Sequence, residues 1–234
     1  MNRRIWELDA FRGICILGMV IVHLLYDLEQ LLTLQLPRAY RLALDWGGVL
    51  FLLLCGISVT LGRHHIRRGL CVLLGGMLCT AATAVVHLLG FAGEGILIRF
   101  GALHCLGCCM LLWSLLRRFP TGLFVALGLA AAAIGLYWQR NPVFGPALLL
   151  PLGIVYPGFS SGDYFPLLPN LGYFLLGAAL GRRLYSQKTT LFPGIDPRRQ
   201  PLRFLCACGR HTLPVYLLHQ PIITLLLALL PMAS

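Results

Sequence analysis

The architecture of this chain follows from one segment, Asp9-Ala-Phe-Arg12-Gly-Ile-Cys-Ile-Leu-Gly-Met-Val-Ile-Val-His23-Leu-Leu-Tyr-Asp27. Apart from four ionisable side chains it is apolar, which predicts a membrane-embedded helix. At 100° per residue, Arg12 and His23 point only about 20° apart, while Asp9 lies about 60° from Arg12 and Asp27 about 40° from His23. Charged groups in hydrocarbon are costly and usually mark a pathway or a reaction site. We therefore predict that this polar stripe (Asp9, Arg12, His23 and Asp27) is functional.

The composition extends this interpretation to the whole chain. Of its 234 residues, 58% are hydrophobic and only 12% are charged, about half the charged fraction of a soluble domain. We predict an all-α, multi-pass protein of the inner or plasma membrane, with the lipid bilayer as its first partner. The runs long enough to cross predict a bundle of about seven transmembrane helices, at roughly 11–33, 43–62, 70–91, 98–116, 121–138, 167–183 and 204–231.

The basic residues predict the orientation of these helices. The net charge is +11, and most arginines cluster in alternate loops, as expected for loops retained in the cytoplasm. This places the N-terminus in the cytoplasm and the C-terminus outside. Nucleic-acid binding is not expected, because the basic clusters do not alternate with aromatic residues. We expect a single domain, 1–234, with an irregular Pro- and Gly-rich segment at 140–166 that lies outside or re-enters the membrane. The sequence leaves open whether the protein forms a homodimer.

The nine cysteines do not suggest a metal site. Cys105 and Cys108 have the CxxC spacing, but they stand within an apolar run without a second pair or a clustered histidine. We interpret the cysteines as small buried hydrophobic residues and expect no metal.

The polar stripe has the residue types of a proton-transfer site. His23 and Asp27 are four residues apart, so the carboxylate can orient the imidazole as a general base; the alternative is a buried polar pair that joins two helices. Arg12, about 16 Å away along the helix, could hold the phosphates of an activated acyl carrier, since arginine forks suit phosphate oxygens.

Other candidates stand outside the stripe. Asp9, Arg99 and Arg210 are candidate contacts for the carrier beside Arg12. Candidate substrate-binding residues are His104, Asp163, Tyr164 and His219, although each histidine could equally hydrogen-bond a neighbouring helix. The chain has no serine or cysteine nucleophile motif, so we expect His23 to activate the acceptor directly, without a covalent enzyme intermediate.

At these residues the chain resembles the heparan-α-glucosaminide N-acetyltransferase catalytic-domain family, in particular its short bacterial members. The matching blocks occur in the same order and cover essentially the whole chain. They are Glu7-Leu-Asp9-Ala-Phe-Arg12-Gly continuing to His23 and Asp27, Phe100-Gly-Ala-Leu-His104-Cys-Leu-Gly, Gly162-Asp163-Tyr164-Phe165-Pro166-Leu-Leu-Pro169, and Gly209-Arg210-His211-Thr-Leu-Pro-Val-Tyr216-Leu-Leu-His219.

The resemblance implies transfer of an acyl group, in particular acetyl, from cytoplasmic acetyl-CoA to an outward-facing sugar or amine, with N- and O-acylation both open. Arg12 would then serve the CoA side and His23 the acceptor side. The lysosomal members carry their catalytic histidine just after the first helix, whereas the Glu29–Tyr40 connection here has none. His23 takes that role in our hypothesis.

Two other classes of protein remain as alternatives. A small-molecule or proton-coupled transporter would use the polar stripe as a relay, although we find no internal repeat of the kind that transporters are built from. A structural subunit would instead use the stripe to dock another membrane protein.

Overall fold

The computed structural model describes residues 5–32 and 37–229, and within them the chain is helical, with two isolated β-bridges and no strand. Two short 3-10 helices, Glu94–Ile96 and Ala147–Leu152, lie in the connections. The α-helices are α1 Trp6–Leu32, α2 Arg38–Leu61, α3 His65–Leu88, α4 Ala102–Leu116, α5 Thr121–Arg140, α6 Leu167–Leu184, α7 Leu202–Arg210 and α8 Thr212–Ala228. The all-α prediction is confirmed.

Fewer helices among the described residues are long and apolar enough to cross a membrane than the seven predicted. Four helices among the described residues are long and apolar enough to cross (α1, α2, α3 and α5), and α7 with α8 makes a fifth if the two count as one bent span. Helix α4 has only 15 residues and falls short of this length.

The last predicted span, 204–231, is not one straight helix. It is broken between α7 and α8, which meet at an angle of 87°. Pro214 explains the break, because it has no N–H to donate to the carbonyl of Arg210 four residues earlier, and its ring would clash with that carbonyl. His211 stands at the break with non-helical dihedrals, φ −113° and ψ 29°.

The contacts divide the chain into two compact units, a subdivision that the single-domain prediction does not contain. The first unit comprises residues 1–51 and 187–234, and the second comprises residues 52–186. In the first unit, α7 and α8 pack against α1. In the second, α3 packs against α4 and α5 against α6. The predicted irregular segment belongs to the second unit, where it holds a 3-10 helix and a bridge between Phe144 and Val155.

Two glycines bring α1 and α7 into backbone contact within the first unit. A Cβ on Gly13 would lie 2.0 Å from the carbonyl oxygen of Leu205, and a Cβ on Gly209 would lie 1.7 Å from that of Asp9. Small residues at these positions let the helices approach closely, as is common between membrane helices. The contact places α7 directly beside the cluster of Asp9 and Arg12.

We expect Gly13→Ala to destabilise the protein by about 1–3 kcal/mol, because the new methyl group would overlap a backbone that cannot rotate away. Gly18→Ala on the same helix is the matched control, since nothing lies within 4 Å of a Cβ there. Thermal unfolding of the purified proteins in detergent should show a lower midpoint for Gly13→Ala only. Equal midpoints for the two variants would contradict the close contact.

Candidate functional site

The sequence-predicted site residues fall into both units. Asp9, Arg12, His23, Asp27, Arg210 and His219 belong to the first unit, and Arg99, His104, Asp163 and Tyr164 belong to the second.

Arg12 and Asp9 form an ion pair near the start of α1. Nη2 of Arg12 lies 3.1 Å from Oδ1 of Asp9, and the two side chains are 22% and 8% exposed. The spacing of three residues puts both side chains on one face of the helix. Nε of Arg12 is buried and has no hydrogen-bond partner among the described residues. The guanidinium group therefore retains capacity to bind a further acceptor.

A cavity of about 440 Å³ opens beside this ion pair, with Asp9 in its wall. Arg210, one of the predicted donor contacts, also lines it. The remaining lining residues, which the sequence analysis did not identify as a site, are Trp6, Pro197, Arg198, Arg203 and Cys206. In the sequence, Arg198 and Arg203 have the pattern of loop arginines that anchor topology, and nothing in that pattern indicates that they line a cavity.

The tautomer of His23 is set by its own helix. Its Nδ1 lies 3.1 Å from the carbonyl oxygen of Met19, one turn earlier. A carbonyl oxygen only accepts hydrogen bonds, so Nδ1 carries the proton and Nε2 carries the lone pair. An imidazole in this state can take a proton, as a general base does.

Asp27 is engaged by α8 and not by His23. Its Oδ2 accepts a hydrogen bond of 2.8 Å from Nε2 of Gln220, and no hydrogen bond among the described residues joins it to His23. The predicted orientation of His23 by Asp27 is therefore not made through a hydrogen bond between these two side chains. The tertiary contact prevails because the amide offers the carboxylate a donor, whereas the only proton on His23 points to the backbone of its own helix.

His219 on α8 faces His23. Their ring centroids are 4.8 Å apart at an interplanar angle of 83°, which is the edge-to-face geometry that ring pairs prefer. Nδ1 of His219 bonds the carbonyl oxygen of Tyr216, so its Nε2 also carries a lone pair. That Nε2 is buried without a hydrogen-bond partner in the described part of the chain, as is Oε1 of Gln220.

In the second unit, His104 has a structural position at the start of α4. Its Nδ1 accepts a hydrogen bond of 3.2 Å from the backbone N–H of Gly101, so Nε2 carries the proton. Nε2 lies 3.4 Å from the hydroxyl of Thr80, which gives its own hydrogen to the carbonyl of Ile98. Nδ1 thus caps the start of α4, while Nε2 contacts Thr80 on α3.

Asp163 and Arg99 join the start of α4 to the irregular segment. Oδ2 of Asp163 accepts a hydrogen bond of 2.9 Å from the backbone N–H of Ala102, which satisfies one of the free donors at a helix start. Nε of Arg99 donates to the carbonyl of Ser160 at 3.3 Å. Arg99 therefore contacts the irregular segment, and its predicted contact with CoA stays a prediction.

Tyr164 forms a hydrogen bond within the irregular segment. Its hydroxyl donates to the carbonyl of Leu150 at 2.8 Å, and burial raises its pKa to about 12. The pKa of Tyr164 in the folded protein lies above the ordinary value of 10.0. The stability that the buried, protonated hydroxyl contributes is therefore complete below pH 10 and is lost as the pH rises towards 12.

These observations define a membrane-embedded helical protein whose first unit combines an arginine-lined cavity with a pair of histidines. The family model for the catalytic domain of heparan-alpha-glucosaminide N-acetyltransferase matches residues 4–221. The chain therefore belongs to this family, as the sequence resemblance predicted, and the family indicates a membrane acetyltransferase. Searches of curated proteins and of solved structures found no match.

We expect Asp163→Ala to lower the free energy of unfolding by about 1 kcal/mol, the usual effect of removing a side chain that caps a helix. Asp163→Asn is the control, because its amide oxygen can still accept from Ala102. Thermal unfolding and KM for the acceptor should be measured on both variants. A raised acceptor KM in Asp163→Asn at an unchanged melting temperature would identify Asp163 as a substrate contact.

Proposed function

We propose that this protein transfers an acetyl group from cytoplasmic acetyl-CoA to the amino group of an extracytoplasmic sugar or related amine. The observation that carries the proposal is the pair of imidazoles, His23 and His219, that face each other with Nδ1 bonded to backbone carbonyls. Membership in an acetyltransferase family supports the reaction type. Arg12, Asp9 and Arg210 lie at or beside the cavity and are the candidate contacts for the donor.

His23 acts in this proposal as the general base. Its Nε2 takes a proton from the acceptor nitrogen as that nitrogen attacks the thioester carbonyl carbon. The carbon–sulfur bond then breaks, and the same proton goes to the departing thiolate, which leaves as the CoA thiol. The acetyl group remains on nitrogen as an amide, and no metal takes part.

The hydrogen-bonding character of the site favours an amine over a hydroxyl group. Nε2 of His23, Nε2 of His219 and Oε1 of Gln220 are all acceptors, the last two without a partner among the described residues. Asp27 adds a carboxylate nearby. The neutral amine that attacks the thioester offers two N–H donors, whereas a hydroxyl offers one. Buried acceptors left without donors are costly, so the amine is the better complement.

We expect His23→Gln to lower the rate of acetyl transfer at least about 100-fold, because general-base catalysis contributes that much or more. Binding of acetyl-CoA, measured by ligand-induced thermal stabilisation, should be retained. His87→Gln is the matched control, because the Nδ1 of His87 also bonds a backbone carbonyl, that of Ala92, in the other unit. Normal turnover by a folded His23→Gln protein would rule out this mechanism.

The choice of acceptor gives a second prediction. With acetyl-CoA as donor, glucosamine should be acetylated at least about 100-fold faster than glucose, which differs only in carrying a hydroxyl at that carbon. Mass spectrometry of the products identifies the modified atom. Preferential O-acetylation of glucose would show that the unpartnered acceptors do not select an amine. Proton flux into proteoliposomes without any transfer would favour the transporter alternative.

A further inference from the structure

We propose that Arg198 and Arg203 recognise the phosphorylated nucleotide end of the donor inside the cavity of the first unit, and that Glu7 holds the segment that carries Arg198 in place. This inference rests on the proposed function and assigns binding roles to residues that the sequence indicates only as topological anchors. It makes the phosphates, and not only the thioester, a determinant of donor choice.

The charge of the cavity wall is the first argument. Three arginines line it, Arg198, Arg203 and Arg210, and none of them forms an ion pair with a carboxylate in the described part of the chain. Asp9, also in the wall, is neutralised by Arg12. A loop is retained in the cytoplasm because it carries positive charge, wherever its arginines point. Topology alone therefore does not explain why three arginines line one cavity. Converging guanidinium groups without counter-charges match a ligand with several phosphates.

The size of the cavity is the second argument. Its volume of about 440 Å³ lies within the range of small-molecule sites and suits part of a large cofactor. Trp6 adds a buried indole N–H that has no acceptor among the described residues. A nucleotide with its phosphates would supply the anionic oxygens that these donors lack. The thioester arm would then leave past Asp9 towards His23 along the same face of α1.

The segment that carries Arg198 is fastened at its other end to the start of α1. Glu7 is only 2% exposed, and both of its carboxylate oxygens are occupied. Oε2 accepts from the hydroxyl of Thr190 and Oε1 from the backbone N–H of Leu191, each at 2.8 Å. The ring of Phe192 lies 6.3 Å from that of Trp6. Glu7 does not line the cavity, so it acts through this segment as a positioning residue.

Two acetyl donors with the same thioester distinguish recognition of the phosphates from the transfer reaction itself. Acetyl-CoA carries the nucleotide and its phosphates, whereas S-acetylpantetheine lacks them. Wild-type protein should use both, with a much lower KM for acetyl-CoA. Arg198→Gln and Arg203→Gln should each raise the KM for acetyl-CoA about tenfold, without changing kcat or the KM for S-acetylpantetheine. Arg199→Gln is the matched control, since Arg199 is exposed and does not line the cavity.

Binding of the nucleotide end alone gives a readout that does not depend on turnover. Adenosine 3′,5′-bisphosphate should stabilise the wild type and Arg199→Gln in thermal unfolding, but not the Arg198→Gln/Arg203→Gln double variant. Glu7→Gln should weaken this stabilisation and raise the KM for acetyl-CoA only.

The outcomes distinguish the inference from the proposed function. Equal KM values of the wild type for the two donors would overturn the inference and leave the acetyltransferase activity intact. A variant that raises both KM values, or an Arg199→Gln protein that behaves like Arg198→Gln, would also overturn it. Failure of the wild type to transfer from either donor would instead remove the proposed function itself.

Discussion

The first unit depends on one contact, the direct backbone approach of α7 to α1 at Gly13 and Gly209. A side chain at either position would separate the helices, because the missing Cβ atoms would stand within 2.0 Å of carbonyl oxygens. This approach brings Arg210 to the cavity beside Asp9. The bend of 87° that follows α7 then sends α8 along α1, where His219 meets His23. The cavity and the histidine pair are thus consequences of the same packing.

The polar groups of α1 differ in whether their hydrogen bonding is complete. Glu7 has both oxygens occupied, Asp9 is paired with Arg12, and Asp27 is bound by Gln220. In a membrane protein such pairing offsets the cost of burying charge. Among the described residues of α1 and its partner α8, the buried groups without a hydrogen-bond partner are Nε1 of Trp6, Nε of Arg12, Nε2 of His219 and Oε1 of Gln220. Because buried polar groups in folded proteins are nearly always satisfied, these exceptions are where a ligand is expected.

Helical periodicity and hydropathy were enough to predict α1, its polar face and the all-α class, since these depend on neighbours in the chain. The contact of Asp27 with Gln220 joins residues 193 positions apart, and no local pattern in a single sequence encodes it. The break at His211 follows from Pro214, but an apolar run on both sides hid it from a search for continuous spans. The sequence shows that His104 and Asp163 are titratable, but not that they accept hydrogen bonds from the backbone N–H groups of Gly101 and Ala102; their contact with a substrate stays a prediction.

The candidate ligand-binding groups also differ in charge from one end of α1 to the other. Guanidinium groups gather near its start, and the lone pairs of imidazoles stand about eleven residues further on, a helical rise of about 16 Å. A relay that moves only protons would need no cluster of fixed cations at one end, because arginine does not release its proton. A substrate with phosphates at one end and a reactive carbonyl at the other requires both features, at a separation set by its own length. The arrangement therefore favours an extended donor bound along the helix over a chain of proton carriers.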